Sequence, residues 1–171
     1  GFLTFDNACG PGFNDISTTG TGTDLFDDGQ FDFTLPWTLA YQGLSVTTLS
    51  VDNNGGISFV SGAGVPFGNG DIATAANGLY PFWDDLYSNG GAVYTEVVGI
   101  APNRQAIIQW NVDHLGFDGD DFVFQVVIDE ATNEIYYLYD NVVSGSAAYD
   151  FGATATIGAA GPLTDVNVSF N

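Results

Sequence analysis

Apolar residues in this chain recur with a period of two, in short runs separated by Asn-Gly and Asp-Gly pairs, and this pattern limits the fold more than any other feature. Phe31, Phe33 and Leu35 alternate with Asp32 and Thr34, and Ile135, Tyr137 and Tyr139 alternate with Tyr136 and Leu138. Residues 106–112 (AIIQWNV) and 122–128 (FVFQVVI) are rich in β-branched and aromatic side chains, which suit a pleated surface. The mixed pattern at 44–51 fits a strand that changes partners midway. Asn54-Gly55, Asn69-Gly70, Asn77-Gly78, Asn89-Gly90, Asp28-Gly29 and Asp118-Gly119 supply turn residues that tolerate positive φ, and 129–133 fits a hairpin loop. Only residues 71–77 carry helical propensity, for about two turns. The expected fold is all-β: an antiparallel β-sandwich, jelly-roll-like, of roughly ten strands with negligible helix. Residues 13–171 are expected to form one domain, with residues 1–12 an N-terminal arm.

A chain of 171 residues that is 45% hydrophobic can bury a core without disulfides and is not disordered. It holds no run of the ~20 apolar residues that a membrane-spanning helix needs. The absence of methionine and the start at Gly1 read as a processed or excised piece. The net charge of −20 comes from 18 Asp and 3 Glu against one arginine, with no lysine. Such a surface repels phosphate, which excludes nucleic acid and anionic membranes as partners. Its self-repulsion calls for screening salt or bound cations. Two readings follow: an acidic surface suited to a saline habitat, and calcium binding.

Calcium takes hard oxygen ligands from flexible loops. Residues 113–121 place Asp113, Asp118, Asp120 and Asp121 in a nine-residue stretch with two glycines, read here as an ion-wrapping loop. Asp84 and Asp85 form a second candidate, and Asp24, Asp27 and Asp28 a further one; the alternative for all of them is turn capping. Catalytic chemistry finds little support. His114 is the one histidine and Cys9 the one cysteine, so a two-histidine zinc site is impossible within the chain, and no nucleophile motif flanks His114. Carboxylates are too numerous for a glycosidase pair to be singled out. The expectation is a protein that is not an enzyme.

Trp37, Tyr41, Tyr80, Trp83, Tyr87, Tyr136, Tyr137 and Tyr139 could form a platform for glycans, although Trp83, Trp110, Phe124 and Tyr137 are expected in the core. Arg104 is expected in a structural ion pair with carboxylates around Asp84-Asp85. Cys9 can serve as a free thiol or an intersubunit bridge.

An ordered set of motifs runs through the chain: Asp27-Asp28-Gly29, Leu35-Pro36-Trp37, Tyr41-Gln42-Gly43, then Val51-Asp52-Asn53-Asn54-Gly55-Gly56-Ile57-Ser58-Phe59. Tyr80-Pro81-Phe82-Trp83-Asp84-Asp85-Leu86, Ile108-Gln109-Trp110-Asn111-Val112 and Phe124-Gln125-Val126-Val127 follow. Over residues 13–160 this set resembles the β-sandwich modules of secreted bacterial proteins that are similar to the nidogen extracellular domain. The resemblance implies an extracellular module of adhesins, matrix proteins or secreted enzymes, without a shared activity.

The leading functional expectation is a secreted or cell-surface structural or adhesive subunit that forms a homo-oligomer or polymer, such as a filament or matrix. Its basis is the strand-like segment Gly1-Phe2-Leu3-Thr4-Phe5, set off by Gly10-Pro11-Gly12. Phe2, Leu3 and Phe5 could add a strand to a neighbour's sheet edge, with Cys9 beside them. Alternatively the segment is an edge strand of its own domain. The competing function is a carbohydrate- or ligand-binding accessory module of a larger secreted protein.

Overall fold

The computed structural model describes residues 10–169, apart from the side chains of residues 119 and 120. Eleven strands are described: β1 (Thr21–Thr23), β2 (Gln30–Tyr41), β3 (Leu44–Asp52), β4 (Gly56–Ser58), β5 (Gly78–Trp83), β6 (Leu86–Ile100), β7 (Asn103–His114), β8 (Phe117–Asp129), β9 (Ile135–Asn141), β10 (Thr156–Ala160) and β11 (Val166–Ser169). They form two antiparallel sheets, a five-stranded one ordered β1-β6-β7-β8-β9 and a six-stranded one ordered β11-β10-β5-β4-β3-β2. The fold is the expected all-β antiparallel sandwich. Each sheet is built on a meander of four consecutive strands, β2 to β5 in one and β6 to β9 in the other. Only Asp84 and Asp85 separate the two meanders, so the chain changes sheets in a two-residue corner.

The period-two pattern becomes a core between the sheets. Leu35, Leu39, Leu49, Val51, Ile57, Leu79 and Phe82 from one sheet meet Val93, Ile108, Trp110, Phe122, Phe124 and Val126 from the other. Phe82 lies 5.0 Å from Phe122 and 5.3 Å from Phe124, and Trp110 stacks on Phe124 at 5.0 Å. Trp110, Phe124 and Trp83 are buried as expected. Tyr137 packs against the core and donates to the Gly158 carbonyl at 2.9 Å.

β5 is buried at all six positions, because its outer face is covered as well as its inner one. Tyr80 and Trp83 pack there against Val65, Ile72 and Ala160. Neither aromatic can belong to a surface glycan platform: Trp83 lies in the core as expected, and the expectation is corrected for Tyr80. On the other sheet, Ile16 lies over Ile107 and Val127. The buried Gln109 and Gln125 hold that segment down: Gln109 Oε1 accepts the Ile16 N–H at 2.9 Å, and Gln125 Nε2 donates to the Asn14 carbonyl at 2.7 Å.

Three local expectations are corrected. Residues 71–77 do not form two helical turns. Only Ile72–Thr74 make a single 3₁₀ turn, capped by Asp71, and Ala75 is already extended at φ −74°, ψ 158°. Residues 113–121 are not a wrapping loop. β7 runs to His114 and β8 starts at Phe117, so Leu115-Gly116 is a two-residue hairpin turn, with Gly116 at φ +80°. The expected midway change of partner in 44–51 is corrected: β3 pairs with β2 along its whole length and gains β4 as a second neighbour over Ser50 to Asp52, where both of its faces are buried.

Candidate functional site

The corner where the chain changes sheets is a buried polar network. Asp52, Asn53 and Asn54 are each at most 1% exposed. The Asn54 carboxamide accepts the Leu86 N–H at 3.0 Å and donates to Asp28 at 3.0 Å. Asn53 donates to the Leu86 carbonyl at 2.7 Å and accepts from Gly29 at 2.9 Å. Asp52 accepts the N–H groups of Asn54 at 2.8 Å and Val65 at 2.9 Å. Burial pushes the Asp52 carboxyl up to about 6, and the Asp28 charge adds to that, against the two N–H bonds. Gly55 is required here: at φ +73° a Cβ would sit 1.9 Å from the Phe82 carbonyl oxygen.

Asp84 and Asp85 occupy the corner itself. Asp84 is buried, accepts from Thr154 and from the Asp85 N–H, and stands 3.7 Å from His114 Nε2. The His114 ring stacks on Tyr149 at 3.7 Å, and its Nδ1 lies 3.0 Å from the Leu115 carbonyl. Burial acts to lower the imidazole, but Asp84, the Leu115 carbonyl and Asp85 outweigh it and hold His114 above its ordinary value. Burial raises the Asp85 carboxyl, and the charges of Asp27, Asp28 and Asp84 act in the same sense against His114.

The Asp113 group lies across the β6-β7-β8 end of its sheet. Asp113 is 5% exposed, and burial together with the nearby Asp121 charge raises its carboxyl. Tyr87, opposite Asp113 on β6, donates its hydroxyl to Asp118 on β8. The Asp120 side chain lies outside the described residues. Among the described residues, no three His, Cys, Asp or Glu side chains converge as metal ligands.

Among the described residues, the sheet edges are β1 and β9 in one sheet, β2 and β11 in the other. Half of β2 is covered from the opposite sheet's turns. Asn133 accepts the Ala40 N–H at 2.9 Å and donates to the Ala40 carbonyl at 2.6 Å, standing in for a neighbouring strand. Arg104 donates to the Pro36 carbonyl at 3.0 Å and lies 5.1 Å from the centre of the Trp37 ring. Its ion pair is with Glu130, at 2.7 Å from Nε and 2.6 Å from Nη2, and not with Asp84 or Asp85. The register decides this: Gln105 opposes Asp129, which brings Arg104 beside Glu130. Phe2, Leu3, Phe5 and Cys9, expected to mediate assembly, lie outside the described residues. The described chain starts at Gly10, against the ring of Tyr136 on the edge strand β9.

A family model, NIDO related, matches residues 3–171. The chain belongs to the nidogen-related family. No curated protein and no solved structure matches it. Membership in the nidogen-related family points to an extracellular domain, and no described helix is long and apolar enough to cross a membrane. The motifs that carry the nidogen-related resemblance are those that meet in space. The Asp52-Asn53-Asn54-Gly55 turn seats the Phe82 to Leu86 corner, and Gln109 and Gln125 seat residues 14–16. They are folding determinants of the nidogen-related module, and sequence reasoning missed the buried role of both groups, because Asn and Gln read as surface or turn residues.

Proposed function

We propose that this nidogen-related chain is a secreted or cell-surface structural or adhesive subunit, without enzymatic activity, that assembles with copies of itself by strand addition. The carrying observation is the packing of Gly10 against the Tyr136 ring. Gly10 lies on Tyr136 of β9, an edge strand among the described residues, and the strand-like pentapeptide 1–5 precedes it by only a few residues in sequence. Strand addition takes its affinity from main-chain bonds and its specificity from alternate side chains, for which Leu3 and Phe5 share one face. Head-to-tail addition does not close and yields a fibre. The test compares the full chain with one lacking residues 1–9, by sedimentation and electron microscopy. The reading expects fibres or oligomers from the full chain, a folded monomer from the truncated one, and inhibition of assembly by a peptide of residues 1–9. A truncated chain that unfolds places the segment in its own sandwich and overturns strand donation.

A second reading, glycan binding, rests on one cleft. A shallow depression of about 320 Å³ is lined by Asp28, Gln30, Asp52, Gly64, Val65, Pro66 and Phe67, with Phe67 57% exposed beside two carboxylates. Stacking of a sugar on an aromatic ring flanked by acceptors is a workable binding mode. Loss of glycan-array binding in Phe67→Ala, in a monomeric full chain, would favour this reading over assembly.

A further inference from the structure

The cleft beside Phe67 combines exposed walls with one buried charge. Asp28, Gln30, Gly64 and Phe67 line it and are exposed, whereas Asp52 lines it at 1% exposure. Gly64 leaves a gap there. A Cβ built on it would stand 2.8 Å from Asp52 Oδ2 and 3.2 Å from Gln30 Oε1, so both oxygens border the space that the glycine keeps free. Gln30 turns its Nε2 to the Gly62 carbonyl at 3.5 Å, which leaves Oε1 at the gap. Asp28 is fixed in the same wall: its Oδ1 accepts from the fully buried Asn54 carboxamide at 3.0 Å.

Two carboxylates thus share one cleft, and the chain brings no cation to it. It has no lysine, Arg104 is engaged by Glu130, and the His114 imidazole faces Asp84. Asp52 accepts the N–H groups of Asn54 and Val65, yet burial and the Asp28 charge still raise its carboxyl. A positive group entering the cleft is attracted by both carboxylates, and a negative group is repelled. Phe67, 57% exposed, adds a ring on which an ammonium or the C–H face of a sugar packs. An amino sugar carries both features, a C–H face for the ring and an ammonium for the oxygens. We propose that this cleft binds amino sugars, with the sugar ring on Phe67 and the ammonium at the oxygens of Asp28, Asp52 and Gln30. The proposal rests on the glycan reading of the cleft and narrows it to cationic sugars over neutral and acidic ones. It does not depend on the assembly reading.

The test titrates the full chain by calorimetry with a glucosamine tetramer in its ammonium form, the N-acetylated tetramer of equal length, and tetralysine. The glucosamine tetramer is expected to bind at least about tenfold more tightly than the N-acetylated one, well within what a charge pair ~4 Å apart near a protein surface supplies. Added salt should shrink that preference. Asp28→Asn keeps an acceptor for Asn54 and puts at φ +51° a residue that tolerates it, so the variant should fold and the preference should fall toward one. Gly64 does not hold a positive φ, so Gly64→Ala fits the backbone, fills the gap and should weaken both sugars, with a melting curve to confirm that it folds. Equal or tighter binding of the N-acetylated tetramer, lost in Phe67→Ala, overturns the amino-sugar inference and leaves the glycan reading in place. Binding of neither tetramer overturns both. Tetralysine that matches the glucosamine tetramer overturns the sugar as ligand and assigns the cleft to basic peptides.

Discussion

Asn54 Oδ1 accepts the Leu86 N–H at 3.0 Å, across 32 residues of sequence, where the chain leaves one sheet for the other. The same carboxamide donates to Asp28, so one side chain ties the β3–β4 turn, the β5–β6 corner and the segment before β2. Asn54→Ala leaves the buried Leu86 N–H unsatisfied and should cost about 1–3 kcal/mol. Gly55→Ala forces a side chain into a positive-φ backbone and sets a Cβ on the Phe82 carbonyl, and should exceed the ~3 kcal/mol upper end of ordinary substitutions. Urea unfolding followed by tryptophan fluorescence measures both. Equal, sub-kcal losses would mean that the corner is not the anchor described.

Acidification should first stabilise this protein. The folded Asp52 carboxyl is raised to about 6, and those of Asp85 and Asp113 are raised as well, so each binds a proton more readily folded than unfolded. For Asp52 the shift from 3.8 corresponds to about 3 kcal/mol, present below about pH 4 and lost as pH rises through about 6. His114 is also held above 6.5, so its contribution is complete below that value and fades as pH rises through its folded pKa. Asp15, Asp32 and Asp129 are lowered by their hydrogen bonds, and their contributions vanish as pH falls below about 4. The melting temperature should therefore peak near pH ~4 and fall on both sides. A melting temperature that does not fall between about pH 4 and pH 7 would contradict the burial assigned to Asp52.

The Arg104–Glu130 pair should matter more for shape than for stability. It is exposed enough that salt screens it. Arg104→Lys loses the planar fork on Glu130 and the broad contact with Trp37, while Arg104→Met also removes the donor to Pro36. Methionine should be the more damaging, and the gap between the two variants in melting temperature should narrow at high salt. An unchanged gap would assign the difference to packing on Trp37 alone.

The strands were legible wherever one face meets the core. β2 keeps the alternation of Phe31, Phe33 and Leu35 because its outer face is wet. β5 defeats that signal, since a covered outer face makes every position buried, and Tyr80 then passes for a surface aromatic. Register was not legible at all. Spacing in sequence grouped Asp113 with Asp118 as one loop, whereas pairing sets Asp113 on β7 beside Tyr87 and Asp27, which come from distant segments. The same lack of register sent Arg104 toward Asp84-Asp85 instead of Glu130. The buried amides of Asn53, Asn54, Gln109 and Gln125 carry no periodic signal, because their burial depends on partners that only the folded chain brings near.

The cover over β2 supplies a last prediction. An exposed edge strand is a template for another chain, and proteins blunt it with side chains or loops. Asn133 does this at Ala40 by occupying both its N–H and its carbonyl, and it holds φ +59° to reach them. Asn133→Gly keeps that backbone conformation available while deleting the carboxamide. The variant should fold with a melting temperature close to the parent's, since Ala40 then bonds to water at an exposed edge. Its free edge should pair with other chains more readily, so sedimentation velocity should show added association that grows with protein concentration. Asn133→Asp makes the comparison sharper. It retains an acceptor for the Ala40 N–H but loses the donor to the carbonyl and adds charge to the edge, which discourages strand pairing. Association should rank Asn133→Gly above the parent and Asn133→Asp at or below it. The reverse order would mean that β2 is not an edge at which chains can meet, and would direct attention to β9 and β11.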